Sequence, residues 1–161
     1  MIMRTGELIR VEEKQIVGMR MRMSMAEYKV GELWRSFMPR RMEVQNRVSD
    51  DLISAVVYHE EHFIRFNPAR PFEKWAGAEV SVPEGVPEGM EILVIPAGLY
   101  AVFDYKGSST DPGIFQFIFG SWLPQSGLIP DNRPHFEVLG PKYRNNDPES
   151  EEEIWIPVRT A

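Results

Sequence analysis

The stretch QIVGMRMRMSMAEYKVGELWRSF (Gln15–Phe37) determines the fold, because its hydrophobic period changes part-way along. From Gln15 to Met25, methionines alternate with polar residues, which predicts a β-strand. After Met25 the apolar residues are spaced three and four apart, as on one face of an amphipathic helix. That apolar face consists of Val30, Leu33, Trp34 and Phe37. The segment therefore predicts a strand followed by a helix.

The ends of this helix also carry signals. Ser24 and Glu27 have the spacing of a capping box, which predicts the start of the helix, and Pro39 favours its end. Two β-branched and aromatic segments then predict strands at Leu52–Glu60 and Glu73–Val82. The first part of the chain thus has the order strand, helix, strand, strand.

The same order repeats after the linker PEGVPEG (Pro83–Gly89). A strand pair is predicted at Met90–Lys106, broken at Pro96-Ala97-Gly98. Asp111 followed by Pro112 predicts the start of a second helix, since Asp is a good N-cap and Pro suits the first helical turn. The apolar face of this helix comprises Ile114, Phe115, Ile118, Phe119 and Trp122, and short strands are predicted at His135–Leu139 and Glu153–Val158.

The element order predicts a structural duplication with halves at about 1–83 and 89–161. We therefore expect a single α+β domain over residues 1–161, in which two helices cover a mostly antiparallel sheet. The junction of two such modules is a common place for a small-molecule site.

Composition narrows the possible functions. The chain has 161 residues, a formal net charge of −6 and no cysteine, which excludes disulfides, thiol nucleophiles and Cys-ligated metals. The acidic balance argues against direct nucleic-acid binding, which needs a basic face. No signal-peptide or membrane-spanning pattern occurs, so a cytoplasmic protein without membrane contact is expected.

Motifs for catalysis and cofactor binding are absent from the sequence. There is no phosphate-binding glycine loop and no nucleophile elbow, and we expect no cofactor. His59 and His62 are spaced one residue too closely for the helical zinc-protease motif, so no metal site is expected. A Ser-His-Asp triad is neither indicated nor excluded by the sequence.

Aromatic and acidic residues alternate with the predicted core positions on three strands. If the small apolar residues of Glu73–Val82 face the helices, Trp75 and Glu79 face away from them. By the same reasoning Phe136 and Val138 are core, whereas Glu137 faces away with Trp155 and Glu153 of the last strand. Tryptophan beside a carboxylate suits an amphipathic cation, which is attracted to the ring face.

Three further aromatic residues are candidates for the same site, although their orientation is open: Tyr58, Tyr100 and Phe103. The alternation of aromatic and acidic residues is also compatible with an arrangement that has no ligand. Trp75 and Trp155 would then be edge packing or a dimer contact, and Glu137 would be solvated.

Several segments resemble the gyrase-inhibitor-like small-molecule-binding domain, also called the AraC-type bacterial effector-binding domain. They are FEKWAGAEV (Phe72–Val80), GMEILVIPAGLYAVFDYKG (Gly89–Gly107), IFGSWLPQSG (Ile118–Gly127), RPHFEVLGPKY (Arg133–Tyr143) and SEEEIWIPV (Ser150–Val158). The resemblance covers nearly the whole chain. It implies two strand–helix–strand–strand modules related by a pseudo-twofold axis, with a ligand groove at their junction.

The resemblance also implies roles for particular residues. Many members bind amphipathic, often cationic compounds with aromatic walls and a central acidic residue, which matches Glu137. Trp75 matches an aromatic wall position, and Trp155 lies on the next strand. Certain members are instead hydrolases of strained, cyclopropane-bearing compounds, in which the equivalent Glu and a tyrosine take part. Tyr58 and Tyr100 are the candidate tyrosines here.

Regulators with this module carry it behind a DNA-binding region, whereas here the module accounts for all 161 residues, so a standalone form is expected. The leading hypothesis is a binding protein for an amphipathic, cationic or aromatic small molecule. The alternative is a hydrolase that uses Glu137 as general base or nucleophile. A third hypothesis is a module that binds a protein partner or forms a homodimer.

Overall fold

The computed structural model describes residues 3–161, so the first two residues of the predicted first half lie outside the described part. Within this range nine strands form: β1 (Thr5–Val11), β2 (Lys14–Met23), β3 (Leu52–Val57), β4 (Phe72–Val80), β5 (Glu91–Ile95), β6 (Gly98–Lys106), β7 (Leu128–Pro130), β8 (His135–Leu139) and β9 (Glu151–Thr160). Helix α1 (Val30–Phe37) continues into a 3-10 turn (Met38–Glu43). The second helical segment consists of α2 (Gly113–Phe117), a π-helical turn (Ile118–Trp122) and α3 (Leu123–Ser126).

The strands pair antiparallel in the order β1-β6-β9-β8-β3-β4-β2-β5, and β7 pairs with β9. One module contains β2, α1, β3 and β4, and the other contains β6, the second helical segment, β8 and β9. The two modules meet where β3 pairs with β8. The predicted α+β class and the two strand–helix–strand–strand modules are confirmed.

The halves of the chain also exchange their first strands. Strand β1 precedes the first module but pairs with β6 of the second, and β5 precedes the second module but pairs with β2 of the first. Each half thus completes the sheet of the other. Arg4 strengthens one exchange, because its guanidinium makes two hydrogen bonds to Asp104 of β6, at 2.8 and 3.0 Å.

Some predicted boundaries are wrong for identifiable reasons. Strand β1 is not predicted, since TGELIRV is an edge strand with Leu8 about half exposed. The side chain of Ser24 accepts a hydrogen bond from the backbone N–H of Glu27 at 3.0 Å, but this contact closes a turn before the helix. Helix α1 begins only at Val30 and has no side-chain cap.

The two faces of the sheet have different coverings. Helix α1 packs Leu33 and Phe37 on one face, over Val17, Ala76 and Ala78. The second helical segment packs Ile118 and Leu123 on the same face, over Phe103 and Ile154 of the other module. We call this the helix face and the opposite side the back face. The back face has its own core, which comprises Ile16, Ile53, Ala55, Trp75, Leu93, Ile95, Tyr100 and Phe136.

No helix among residues 3–161 has the length and apolar character needed to cross a bilayer.

Candidate functional site

The strand register shows which side chains share a face with Glu137. Residues directly opposite one another in adjacent antiparallel strands lie on the same face. Glu137 lies opposite Ser54 on β3 and opposite Ile154 on β9. The next residue opposite Ser54 is Ala76 on β4, and the next opposite Ile154 is Phe103 on β6. Both Ala76 and Phe103 pack under the helices. Glu137 therefore lies on the helix face.

The neighbouring row lies on the back face. Trp75 lies opposite Ala55, which lies opposite Phe136, and Phe136 lies opposite Trp155. The expectation that Glu137 shares a face with Trp75 and Trp155 is therefore wrong. It assumes that the apolar residues Phe136 and Val138 face the helices, but both faces of the central strands are packed. Apolar character alone cannot indicate which face the helices cover.

A cluster of ionisable groups occupies the centre of the helix face. Helix α1 packs on β2 and β4, and the second helical segment packs on β6 and β9. Strands β3 and β8 lie between these two helix-covered regions. We define the central cluster as Lys74, His135, Glu137 and Glu152, which come from β4, β8 and β9. Alternation along the strands turns these four side chains to the helix face.

Aromatic side chains border the central cluster. Tyr58 follows β3 and stacks on His62 with ring centroids 4.0 Å apart, and it meets His135 edge to face at 5.0 Å. Phe63 stacks on His135 at 5.4 Å and on Phe119 of the second helical segment at 5.1 Å. The connection between β3 and β4 is thereby packed against that segment. Phe63 remains 42% exposed, so this wall presents an aromatic surface to solvent.

Glu137 is deep in the structure but remains partly accessible. Loss of hydration raises the pKa of its carboxyl group, and the positive charge of Lys74 partly opposes this effect. Among residues 3–161, Glu137 has no ion pair within 4.0 Å. The structure thus contains a carboxyl group that has lost much of its hydration without gaining a direct cationic partner.

Glu152 is the second acid of the central cluster. Burial raises the pKa of its carboxyl group, the negative charge of Glu137 raises it further, and Lys74 lowers it. The two acids are diagonal neighbours, because Glu152 lies two residues before Ile154, the partner of Glu137. With both acids ionised, two negative charges face the single positive charge of Lys74.

His135 contributes no positive charge to this balance. Its imidazole is 5% exposed, and burial, assisted by His62 and Lys74, lowers its pKa to about 3. A neutral His135 leaves the central cluster with a net negative charge when both acids are ionised.

Of the tyrosines predicted from the sequence, only Tyr58 lies near Glu137. Burial raises the pKa of the Tyr58 hydroxyl, and the charge of Glu137 raises it further. Tyr143 is a further tyrosine near Glu137, and burial likewise raises its pKa. Tyr100 is fully buried on the back face, where its hydroxyl donates a hydrogen bond to the carbonyl of Pro134 at 2.7 Å.

The remaining predicted site residues are distant from the central cluster or enclosed. Phe103 is 1% exposed and packs edge to face on Trp122, with ring centroids 5.1 Å apart. Trp75 is 4% exposed, and its indole N–H has no hydrogen-bond partner within residues 3–161. Trp155 is partly exposed on the back face and donates a hydrogen bond to Glu153 at 3.0 Å.

The back face holds a separate small cavity of about 200 Å³. Trp155, Glu79 and Glu153 line it together, as strand alternation predicts for these three residues. Lys14 lies 3.4 Å from Glu79 and already pairs with it. Aromatic and acidic residues thus lie together on both faces of the sheet. Glu137 belongs to the group on the helix face.

No group of three or more metal-ligating side chains occurs in the described part of the chain. His62 stacks on Tyr58, and the imidazole of His59 accepts a hydrogen bond from the backbone N–H of Glu61. These two histidines therefore serve local packing and turn formation.

Four residues of the site are not among those predicted. Three of them, Lys74, His135 and Glu152, belong to the central cluster, and the fourth, Phe63, borders it. Glu152 could have been found from the strand register. Ile154 pairs with Glu137, and Glu152 lies two residues before Ile154 on the same face of β9. No sequence signal indicates the position of Phe63, because the β3–β4 connection has no regular period.

The architecture of two strand–helix–strand–strand modules is that of a class, the effector-binding domains. The chain belongs to the family described as integron-associated effector binding protein, whose model matches residues 7–158. It is 33% identical over 133 residues to the transcriptional regulator BrlR of Pseudomonas aeruginosa. That match covers 80% of this chain and 46% of BrlR, so the chain spans about half the length of this relative.

Solved structures share the fold at low sequence identity. SAV2435 bound to tetraphenylphosphonium matches with a TM-score of 0.69 and 12% identity, over 96% of this chain and 94% of that one. A hydrolase from Listeria innocua matches with a TM-score of 0.59 and 11% identity, over 97% and 92% of the two chains. At these identities the likeness shows the fold alone.

Proposed function

We propose that this domain binds an amphipathic organic cation on the helix face, with Glu137 as its counter-charge. The observation that carries the proposal is the carboxyl group of Glu137, which is desolvated, partly accessible and, within residues 3–161, without an ion pair closer than 4.0 Å. A buried charge without a partner is costly, and a bound cation offsets this cost.

The surroundings of Glu137 support a ligand that is apolar as well as cationic. Tyr58 and Phe63 present aromatic rings beside the central cluster, and each ring face attracts a cation by roughly 0.5–2 kcal/mol depending on desolvation. Because the net charge of the central cluster is negative with both acids ionised, it disfavours anions.

Two relatives are consistent with this proposal. SAV2435 binds tetraphenylphosphonium, a bulky aromatic cation, on the same fold. BrlR is a transcriptional regulator, so a related domain occurs in a protein that controls gene expression. We propose that this chain senses or sequesters its ligand. The net charge of −6 does not favour direct nucleic-acid contact by this domain.

Calorimetric titration with tetraphenylphosphonium tests the proposal. We expect Glu137→Gln to weaken binding by about 10- to 100-fold, the size of a charge-assisted contact. The matched control is Glu79→Gln, which removes the same charge from the back face. Equal affinity of wild type and Glu137→Gln contradicts the proposal. A loss in Glu79→Gln alone would transfer the site to the back-face cavity.

Hydrolysis is the second candidate, supported by the placement of Tyr58 near Glu137. Loss of hydration raises the pKa of Glu137, which makes its ionised carboxylate a stronger general base or nucleophile toward a strained electrophile. Turnover of strained, cyclopropane-bearing electrophiles that is lost in Glu137→Ala, but not in Glu79→Ala, would support it. Binding of such compounds without product formation would contradict it.

A further inference from the structure

Glu152 contains an unexplained polar atom. The residue is 9% exposed on strand β9, and its Oε2 atom is buried with no hydrogen-bond partner within residues 3–161. Buried carboxylate oxygens are nearly always hydrogen-bonded, because unpaired ones lose the hydration they had in the unfolded chain. The free oxygen of Glu152 therefore calls for a donor that the described part of the protein does not provide.

The charged and titratable groups around Glu152 do not supply this donor. Glu137 is a diagonal neighbour on the helix face, and Lys74 acts on both acids from β4 without an ion pair within 4.0 Å in the described residues. Tyr105 and Tyr143 also lie close enough to sense the charge of Glu152. Both hydroxyls donate elsewhere, however: that of Tyr105 to the carbonyl of Ser108 at 2.8 Å, and that of Tyr143 to the side-chain oxygen of Asn145 at 3.5 Å.

We propose that Glu152 is a second ligand-binding carboxylate, which makes the site selective for cations that carry an N–H group. Protonated amines and amidines belong to this class, whereas quaternary ammonium and phosphonium ions do not. The inference rests on the proposed function, because it requires a cation beside Glu137.

The selectivity follows from the different needs of the two acids. Glu137 is partly accessible and needs only a nearby positive charge, which any organic cation provides. Glu152 is enclosed, and its free Oε2 needs a hydrogen-bond donor. A charge-assisted hydrogen bond to a buried acceptor increases affinity by about tenfold or more. A cation without a donor leaves that oxygen unpaired and forgoes this gain.

Two probes that differ by one methyl group test the inference. Protonated benzyldimethylamine carries one N–H, and benzyltrimethylammonium replaces that hydrogen with a methyl group. In calorimetric titrations of the wild-type chain at pH 8, where the Glu152 carboxyl group, whose pKa burial raises to about 8, is half ionised, we expect the amine to bind about tenfold more tightly. In Glu152→Gln the preference should fall to about twofold or less, with little change for benzyltrimethylammonium. Glu151→Gln on the same strand is the control and should keep the full preference.

The outcomes separate the inference from the proposed function. Binding of both probes with equal affinity, lost in Glu137→Gln, would overturn the inference and leave the proposed function intact. A preference for the amine that persists in Glu152→Gln would overturn the role of Glu152. Absence of Glu137-dependent binding for either probe would overturn both. If Glu152→Gln does not fold, the wild-type ratio alone decides, since equal affinities contradict the selectivity.

Discussion

Phe136 stacks on Trp155 with ring centroids 5.3 Å apart and planes 12° from parallel. The two residues are direct cross-strand partners on β8 and β9, so their contact fixes the register of these strands. Because successive side chains of a strand point to opposite faces, this stack turns Glu137 to the helix face. The back-face core thereby positions the acid on the other side of the sheet.

This division of roles predicts that Trp155→Ala affects stability and not ligand binding. Loss of the stacked indole should lower the free energy of unfolding by about 1–3 kcal/mol, less than a fully buried aromatic because Trp155 is partly exposed. The affinity for tetraphenylphosphonium should stay within about twofold of wild type. Urea denaturation and calorimetry measure the two quantities. A tenfold loss of affinity with unchanged stability would place the ligand on the back face.

The burial of Glu152 predicts that this acid destabilises the empty protein. Its pKa is raised above the 4.5 of an ordinary glutamate, so the folded state holds a proton that the unfolded chain releases as pH rises. The contribution of this proton to the free energy of unfolding is complete below about pH 4.5 and is lost as pH rises through the raised pKa of Glu152. The side chain in Glu152→Gln does not titrate. At high pH, where wild type must bury a charged carboxylate, this variant should be more stable than wild type.

Urea denaturation at pH 5 and pH 9 checks this expectation. The stability of Glu152→Gln relative to wild type should increase by about 1 kcal/mol or more between the two pH values. Glu151→Gln should show no comparable increase. A constant difference between Glu152→Gln and wild type would mean that the carboxyl of Glu152 is not desolvated in solution.

Much of the fold could be predicted from the sequence, because the segments that pack on the core have regular periods. Gln15–Phe37 changes from period two to a helical spacing, and strand β2 and helix α1 lie where that change predicts them. The pattern of β1 is weak, since an edge strand has few buried positions. Its exchange into the other module depends on pairing with β6, a contact between distant parts of the chain.

The candidate site is less predictable for a different physical reason. The sequence indicates Glu137 through its place in a short apolar strand, but it does not indicate the face, because the central strands are packed on both sides. The apolar side chains of Phe136 and Val138 pack in the back-face core, whereas that of Leu139 packs on the helix face. The pairing of Glu137 with Ser54 on β3 and with Ile154 on β9 determines the face, and pairing between strands cannot be deduced from one strand alone.

His135 predicts a loss of stability in mild acid. Burial lowers its pKa to about 3 in the folded protein, against about 6.5 for an ordinary histidine. Between these values the unfolded chain binds a proton that the folded chain does not. The contribution of His135 is therefore present above about pH 6.5 and falls as pH decreases toward 3, by up to about 1.4 kcal/mol per pH unit.

A pair of variants isolates this contribution. Urea denaturation at pH 7 and pH 5 should show a smaller drop in stability for His135→Gln than for wild type. His59→Gln should retain the wild-type drop, because His59 is exposed. The same drop in wild type and His135→Gln would show that His135 is hydrated and titrates as in the unfolded chain.

Lys74 predicts a competition between the protein and its ligand for the two acids. Its ammonium group acts on both Glu137 and Glu152, although it forms no ion pair within 4.0 Å in the described residues. Replacing it with the uncharged side chain of similar length in Lys74→Met removes a positive charge that repels an incoming cation. In a partly solvated site, this repulsion between unit charges corresponds to an affinity change of roughly three- to tenfold.

We therefore expect Lys74→Met to bind tetraphenylphosphonium about three- to tenfold more tightly than wild type, with a smaller gain at high salt because ions screen the repulsion. Lys142→Met, which removes an exposed positive charge, is the control and should change the affinity by less than about twofold. Calorimetric titration at low and high salt measures both. Weaker binding in Lys74→Met would mean that the two acids, whose pKa values Lys74 lowers, become protonated without it, and that this loss of negative charge outweighs the lost repulsion.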